Sequence, residues 1–191
     1  MKKIVFPMLL TATLVLSACD KTSTPESVKT QVEQQASAPI AANDLSAETK
    51  AYQQWVEGQI DLLLSDTEKF VAALNAGNVA EAKRIYPLAR MYFERSEPIA
   101  ESFGDLDPRI DNREADLEKD ETWTGFHRIE KILWTQNTTK GTEQLGKQLI
   151  NDIKELRAKI PTANVTGELM VQGSVDLLNE VSATKTTTET E

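Results

Sequence analysis

The stretch Ala51-Tyr-Gln-Gln-Trp-Val-Glu-Gly-Gln-Ile60-Asp-Leu-Leu-Leu-Ser-Asp-Thr-Glu-Lys-Phe70-Val-Ala-Ala-Leu74 decides the fold. Tyr52, Trp55, Val56, Ile60, Leu63, Leu64, Phe70, Val71 and Leu74 recur mostly at three- and four-residue steps. That spacing lays one apolar stripe along a helix and predicts a long helix over about 45–76. Gly77-Asn78 stops it. Asn78 is placed to cap the next helix, with Glu81 at the third position of a capping box.

The same period continues outward from this stretch. A second helix is expected over about 79–102, with Ala82, Ile85, Tyr86, Ala89, Phe93 and Ile99 inward. Pro87 and Pro98 lie within it, and each removes a backbone hydrogen bond and bends or breaks the helix. Residues 103–121 read as a long acidic loop, and connections of that length are often functional. Further helices are expected over about 122–135, 142–160 (ended by Pro161) and 167–183. No segment alternates as a strand does. The class is all-α, an antiparallel helical bundle with short connections.

The two ends have a different character. Lys2 and Lys3 precede an apolar run from Ile4 to Leu16. That is the layout of a secretory leader, and the run is shorter than the roughly 20 residues a membrane span needs. Leu16-Ser-Ala-Cys19 resembles the bacterial lipobox, in which the cysteine is acylated and becomes the mature N-terminus. Residues 1–18 are therefore read as a signal peptide and Cys19 as the lipidation site. Cys19 is the single cysteine of the chain, so no internal disulfide can form. Asp20 resembles the residue that retains lipoproteins in the inner membrane. Residues 19–43 then form a lipidated cysteine and polar tether, too poor in apolar residues to offset the entropy of ordering. Residues 44–185 are the helical domain and 186–191 a polar tail.

The formal charge of the 191-residue chain is −9, and it becomes −11 without Lys2 and Lys3. Phosphate backbones repel such a chain, so nucleic acid is excluded as a partner. An acidic surface favours solubility and collects cations.

His127 is the single histidine. It stands three residues before Glu130, a spacing that puts both side chains on one helical face. Bundle proteins that bind iron or manganese use such Glu/His spacing. Glu94, Glu97 and Glu101 form a second acidic stripe beside Pro98, with Arg90 one turn earlier. Asp105, Asp107 and Asp111 lie in the connection between the two groups. Packing the helices together brings Glu94 and Glu97 near His127 and Glu130. One imidazole with several carboxylates suits iron, manganese or zinc. The plainer alternatives are a partly buried histidine between Phe126 and Ile129, and a solvated face on which Arg90 and Arg95 pair with the glutamates.

Three segments resemble the imelysin-like family, and within it the EfeO/EfeM-type iron-uptake components. They are Arg90-Met-Tyr-Phe-Glu94-Arg-Ser-Glu97-Pro98-Ile-Ala-Glu101, Leu106-Asp-Pro-Arg-Ile-Asp111, and Gly125-Phe-His127-Arg-Ile-Glu130. The segment Leu177–Lys185 fits as well. The resemblance implies a helical bundle in the periplasm, tethered to the inner membrane through Cys19, that captures iron (Fe2+ or Fe3+) for an inner-membrane permease. It implies metal ligands at Glu94, Glu97, Asp111, His127 and Glu130, with Arg90 and Glu101 in support. Zinc or another divalent ion is the alternative cargo.

Compared with that family, no cupredoxin domain precedes the helices, and the chain stops shortly after Lys185 where the family continues. The expectation is an incomplete bundle, or one completed by a second copy. A metal-dependent peptidase and a polymer-binding adaptor are the rival functions. The zinc-protease motif needs two histidines and a separate base, and one histidine does not supply it.

Overall fold

Residues 44–185 are described by the computed structural model; the leader, Cys19, the tether to Asn43 and the tail from Thr186 lie outside the described residues. Helix α1 spans Ser46–Asn75 and buries Val56, Ile60, Leu63, Phe70, Val71 and Leu74. Trp55 departs from the expected inward set. It is 46% exposed and stacks on Tyr52 with ring centroids 5.9 Å apart. Trp55 lies just off the side of α1 that α2 and α6 cover.

The predicted stop and cap are both present. Gly77 takes φ +71°, a region open to glycine without steric cost. The Asn78 side chain accepts a hydrogen bond from the Glu81 N–H at 3.1 Å. The Glu81 carboxylate does not reach back to close the box; Arg84 holds it instead.

Helix α2, Val79–Glu94, carries Pro87 in its interior without ending there. It ends at Glu94, eight residues before the expected boundary. A turn at Arg95-Ser96 leads into the short helix α3, Glu97–Ala100, followed by a 3-10 turn at Glu101–Phe103. Pro98 thus sits in the first turn of a new helix, where its missing N–H costs nothing. The expected loop 103–121 is also partly folded. Helix α4, Leu106–Asp111, and a 3-10 turn at Glu114–Asp116 interrupt it. Leu106 and Ile110 are fully buried, and this burial holds so short a helix in place.

Helix α5 is Gly125–Thr135, three residues shorter at its start than expected. Helix α6 spans Glu143–Lys159 and α7 spans Gly167–Glu180, with one π-turn after it at Val181–Lys185. There is no strand among the described residues. The all-α reading holds.

Helices α1 and α2 fold back on each other through the turn at 76–78, and α6 lies along the other flank of α1. Helix α4 is wedged between α5 and α6, and α3 lies against α7. Phe70, Tyr86 and Phe126 meet at centroid distances of 5.8, 6.0 and 6.3 Å and tie α1, α2 and α5 into one core. Aromatic contacts of this kind add about 0.5–1.5 kcal/mol each beyond area burial. No described helix is long and apolar enough to cross a membrane.

Candidate metal centre

Three helices supply the site. Helix α2 presents Arg90 and Glu94 one turn apart, α4 ends on Asp111, and α5 carries His127 and Glu130 in its first two turns. What brings α4 to α5 is mostly main chain. Gly125 has φ +82°, and a Cβ built on it would lie 2.2 Å from the Ile110 carbonyl oxygen. Only glycine fits there, both for its backbone angle and for the approach. Beside it, the Thr124 hydroxyl donates to the Arg109 carbonyl at 2.9 Å. The glycine of the Gly-x-His-x-x-Glu segment is therefore a packing requirement that sets how near His127 comes to Asp111.

Helix α4 is also fastened from behind. The Arg109 guanidinium bonds Asp152 on α6 and, at 2.8 Å, Glu155. Asp152 is buried, so this pair pins α4 to the far side of the domain.

Within the site, Arg90 grips Asp111 with two hydrogen bonds, Nε to Oδ1 at 2.9 Å and an Nη to Oδ2 at 2.5 Å. It also bonds Glu94 at 2.6 Å. His127 Nδ1 lies 2.8 Å from Glu130 Oε2. Its other ring nitrogen, Nε2, faces Asp111 Oδ2 across 3.8 Å. The Tyr86 hydroxyl adjoins Glu130 without meeting hydrogen-bond geometry. Arg90, Glu94, Asp111, His127 and Glu130 thus form one cluster.

Glu97 is buried. It lines a neighbouring cavity of about 290 Å³ with Glu101, Asp107, Asp111, Asn112, Arg113, Asp116, Asp176 and Glu180. Asp111 belongs to both the cluster and the cavity wall. Seven carboxylates against one guanidinium make this wall strongly negative.

The charge shifts follow from burial and crowding. Burial pushes the Asp107 carboxyl up to about 7, helped by the charges of Asp111, Glu101, Glu180 and Glu94. Burial raises Asp111, and Arg90 and His127 pull it only part of the way back. Glu101 is raised by burial and by Asp176 and Glu180. At Glu130 burial acts upward, but His127, Tyr86 and Arg90 outweigh it and hold the carboxyl below its ordinary value.

Glu94, Glu97, Glu101, Asp107, Asp111, His127, Glu130 and Arg90 are each in the cluster or on the cavity wall; Asp105 is not, and accepts from Arg109 at 3.3 Å instead. Arg90 has a larger part than a supporting one, since it occupies the cationic position between Glu94 and Asp111. Among the described residues, no three His, Cys, Asp or Glu side chains are arranged to cage a metal ion as they stand. Sequence reasoning missed Asp176, Glu180, Arg113 and the Arg109–Asp152 pair. The i, i+4 repeat of Asp176 and Glu180 on α7 was the available signal for the first two.

Comparison with known proteins places this geometry. A family model described as Peptidase_M75: Imelysin matches residues 48–190. An Efem/EfeO family lipoprotein of Staphylococcus haemolyticus is 47% identical over 189 residues, covering 96% of this chain and 66% of the relative. One of Staphylococcus aureus (strain NCTC 8325 / PS 47) is 49% identical over 152 residues, covering 78% of this chain and 54% of the relative. The chain thus spans about half to two thirds of the length of these relatives. With the family model matching most of its length, and a helical bundle carrying the Gly-x-His-x-x-Glu segment at its centre, the chain belongs to the imelysin family.

Proposed function

We propose that this domain captures iron outside the cytoplasm and hands it to a membrane permease, as an iron-uptake component of the EfeO/EfeM type. The observation that carries the reading is the facing pair His127 Nε2 and Asp111 Oδ2, 3.8 Å apart, with Asp111 also on the wall of the acidic cavity. That gap is too long for a hydrogen bond. A cation about 2.1 Å from each donor spans it. Glu94, Glu97 and Glu130 complete the ligand set, and the surplus of carboxylates draws cations in. Imidazole with carboxylates suits iron, with zinc or another divalent ion as the alternative cargo. Binding requires a small rearrangement, because Arg90 already holds Asp111 and Glu94.

The names of the relatives support the reading, since they are lipoproteins of the Efem/EfeO family. With the leader and Cys19, they support a membrane-anchored protein on the outer side of the membrane. Its compartment is the periplasm or the cell surface.

The test is equilibrium binding of Fe2+ under argon to the intact protein and to His127→Ala. We expect the variant to lose at least tenfold in affinity; equal affinity in the two proteins sinks the site. The peptidase label of the family model favours one rival, a metal-dependent peptidase. Metal-dependent release of fragments from an unstructured protein substrate would establish it.

A further inference from the structure

One nitrogen of Arg90, Nη2, is shared between carboxylates from two helices. It lies 2.6 Å from Glu94 Oε1 on its own helix and 2.5 Å from Asp111 Oδ2 at the end of α4. The same Asp111 Oδ2 faces His127 Nε2 across 3.8 Å. The oxygen offered to a cation therefore already has a positive partner. Nε of the same guanidinium bonds Asp111 Oδ1 at 2.9 Å, so both oxygens of that carboxylate are taken.

This grip is not a loose surface pair. The Arg90 side chain is 16% exposed and that of Asp111 10%, so salt and water screen little of the attraction. A guanidinium keeps its charge at every accessible pH, and its planar fork fits a carboxylate with two parallel bonds. Arg113, the other arginine near the cavity, has no such grip; it reaches Glu180 only at 4.0 Å. A metal ion seated between Asp111 Oδ2 and Glu94 would stand where Nη2 now stands, and the two positive charges repel. Nη2 has to withdraw before an ion can hold both carboxylates.

We propose that Arg90 is a tethered competitor for the cation seat: its Nη2 fills the place between Glu94 and Asp111 in the empty protein, and an ion binds by displacing it. The proposal rests on the cation-capture reading and assigns to Arg90 the setting of the affinity threshold. A competitor that belongs to the protein lowers the apparent affinity for every cation by one common factor, the fraction of molecules whose seat is open. Ions that bind carboxylates weakly are thereby kept out, whereas an ion that also gains His127 passes the threshold. When the ion leaves, Arg90 returns, and Asp111 is not left a bare buried anion, a state that costs stability.

The test is Mn2+ and Zn2+ binding to the intact protein, wild type against Arg90→Gln, Arg90→Lys and Arg113→Gln. Releasing one or two charge-assisted hydrogen bonds corresponds to about 10–100-fold in affinity. We expect Arg90→Gln to bind both ions tighter by that factor, and by a similar factor for each. Arg90→Lys keeps the charge without the fork and should gain less. Arg113→Gln removes a charge from the cavity wall alone and should gain far less. A weaker or equal affinity in Arg90→Gln overturns the proposal and makes Arg90 a support that orients Asp111, with capture intact. An equal gain in Arg113→Gln overturns it too, because bulk charge then explains the effect. If neither wild type nor Arg90→Gln binds either ion, capture fails and the competitor fails with it. Should Arg90→Gln not fold, wild-type protein labelled with nitrogen-15 arginine decides. The Arg90 side-chain N–H signals, identified by their absence in Arg90→Lys, should exchange slowly with water in metal-free buffer and faster once Zn2+ saturates the site. Unchanged exchange on Zn2+ binding overturns the proposal.

Discussion

At the scale of single residues, Asp107 shows what the cavity costs the fold. Burial first, and four neighbouring carboxylates second, push its pKa from 3.8 up to about 7. The native protein therefore binds this proton more tightly than the unfolded chain does. Between about pH 4 and pH 7 the native state holds more protons, so the contribution to stability falls as pH rises through that window. Asp107→Asn removes this titrating carboxyl. In metal-free buffer the variant should melt higher than wild type at pH 8 by several degrees, at roughly 2–4 °C per kcal/mol for a domain of this size. At pH 4 the two should melt together, and a common difference at both pH values would exclude this origin. The residue types of the site were readable from sequence, because chemistry demands them. Their roles were not. Arg90 as the occupant of the cationic position depends on directions that spacing along a helix does not give.

At the scale of elements, α4 was the least readable piece and is the one that delivers Asp111. Six residues cannot hold a helix in isolation, so no local periodicity announced it between Phe103 and Glu121. It exists through contacts distant in sequence: Leu106 and Ile110 in the core, Gly125 against the Ile110 carbonyl, and Arg109 on Asp152. Arg109→Ala leaves the buried Asp152 without its cation. We expect a loss of about 3 kcal/mol in urea unfolding. Asp152→Asn, which removes the charge along with the pair, should cost less. Equal and small losses in both would show that α4 is held by its apolar residues alone. By contrast, α1 and α6 were legible almost to the residue. Each is long and buries a single face, and the 3.6-residue period reports that condition directly. The boundary inside the expected second helix was displaced because a proline ends one helix and begins another by the same property, and sequence alone does not say which.

At the scale of the whole molecule, the sides of α7 are unequal. Gly173 sits over Pro98, where a Cβ would come within 2.7 Å of the ring. The opposite side carries Val171 at 65%, Val175 at 44% and Leu178 at 71% exposure. Single exposed apolar residues are ordinary; three in line on one helix are not. The double variant Val171→Lys, Leu178→Lys should bind much less of a fluorescent apolar dye than wild type, with the melting temperature unchanged. A drop in melting temperature would mean that these side chains support the domain itself. The place of Asp176 and Glu180 on the cavity wall depends on the Gly173–Pro98 approach, between segments far apart in the chain, so it escaped the sequence.

The junction of α4 and α5 bears on how the protein tolerates change. Glycine meets carbonyl there, main chain against main chain. Substitutions at Ile110 alter a side chain but leave that carbonyl in place. The spacing of Asp111 and His127 is thus sheltered from most mutational drift around it and hostage to a single codon, that of Gly125.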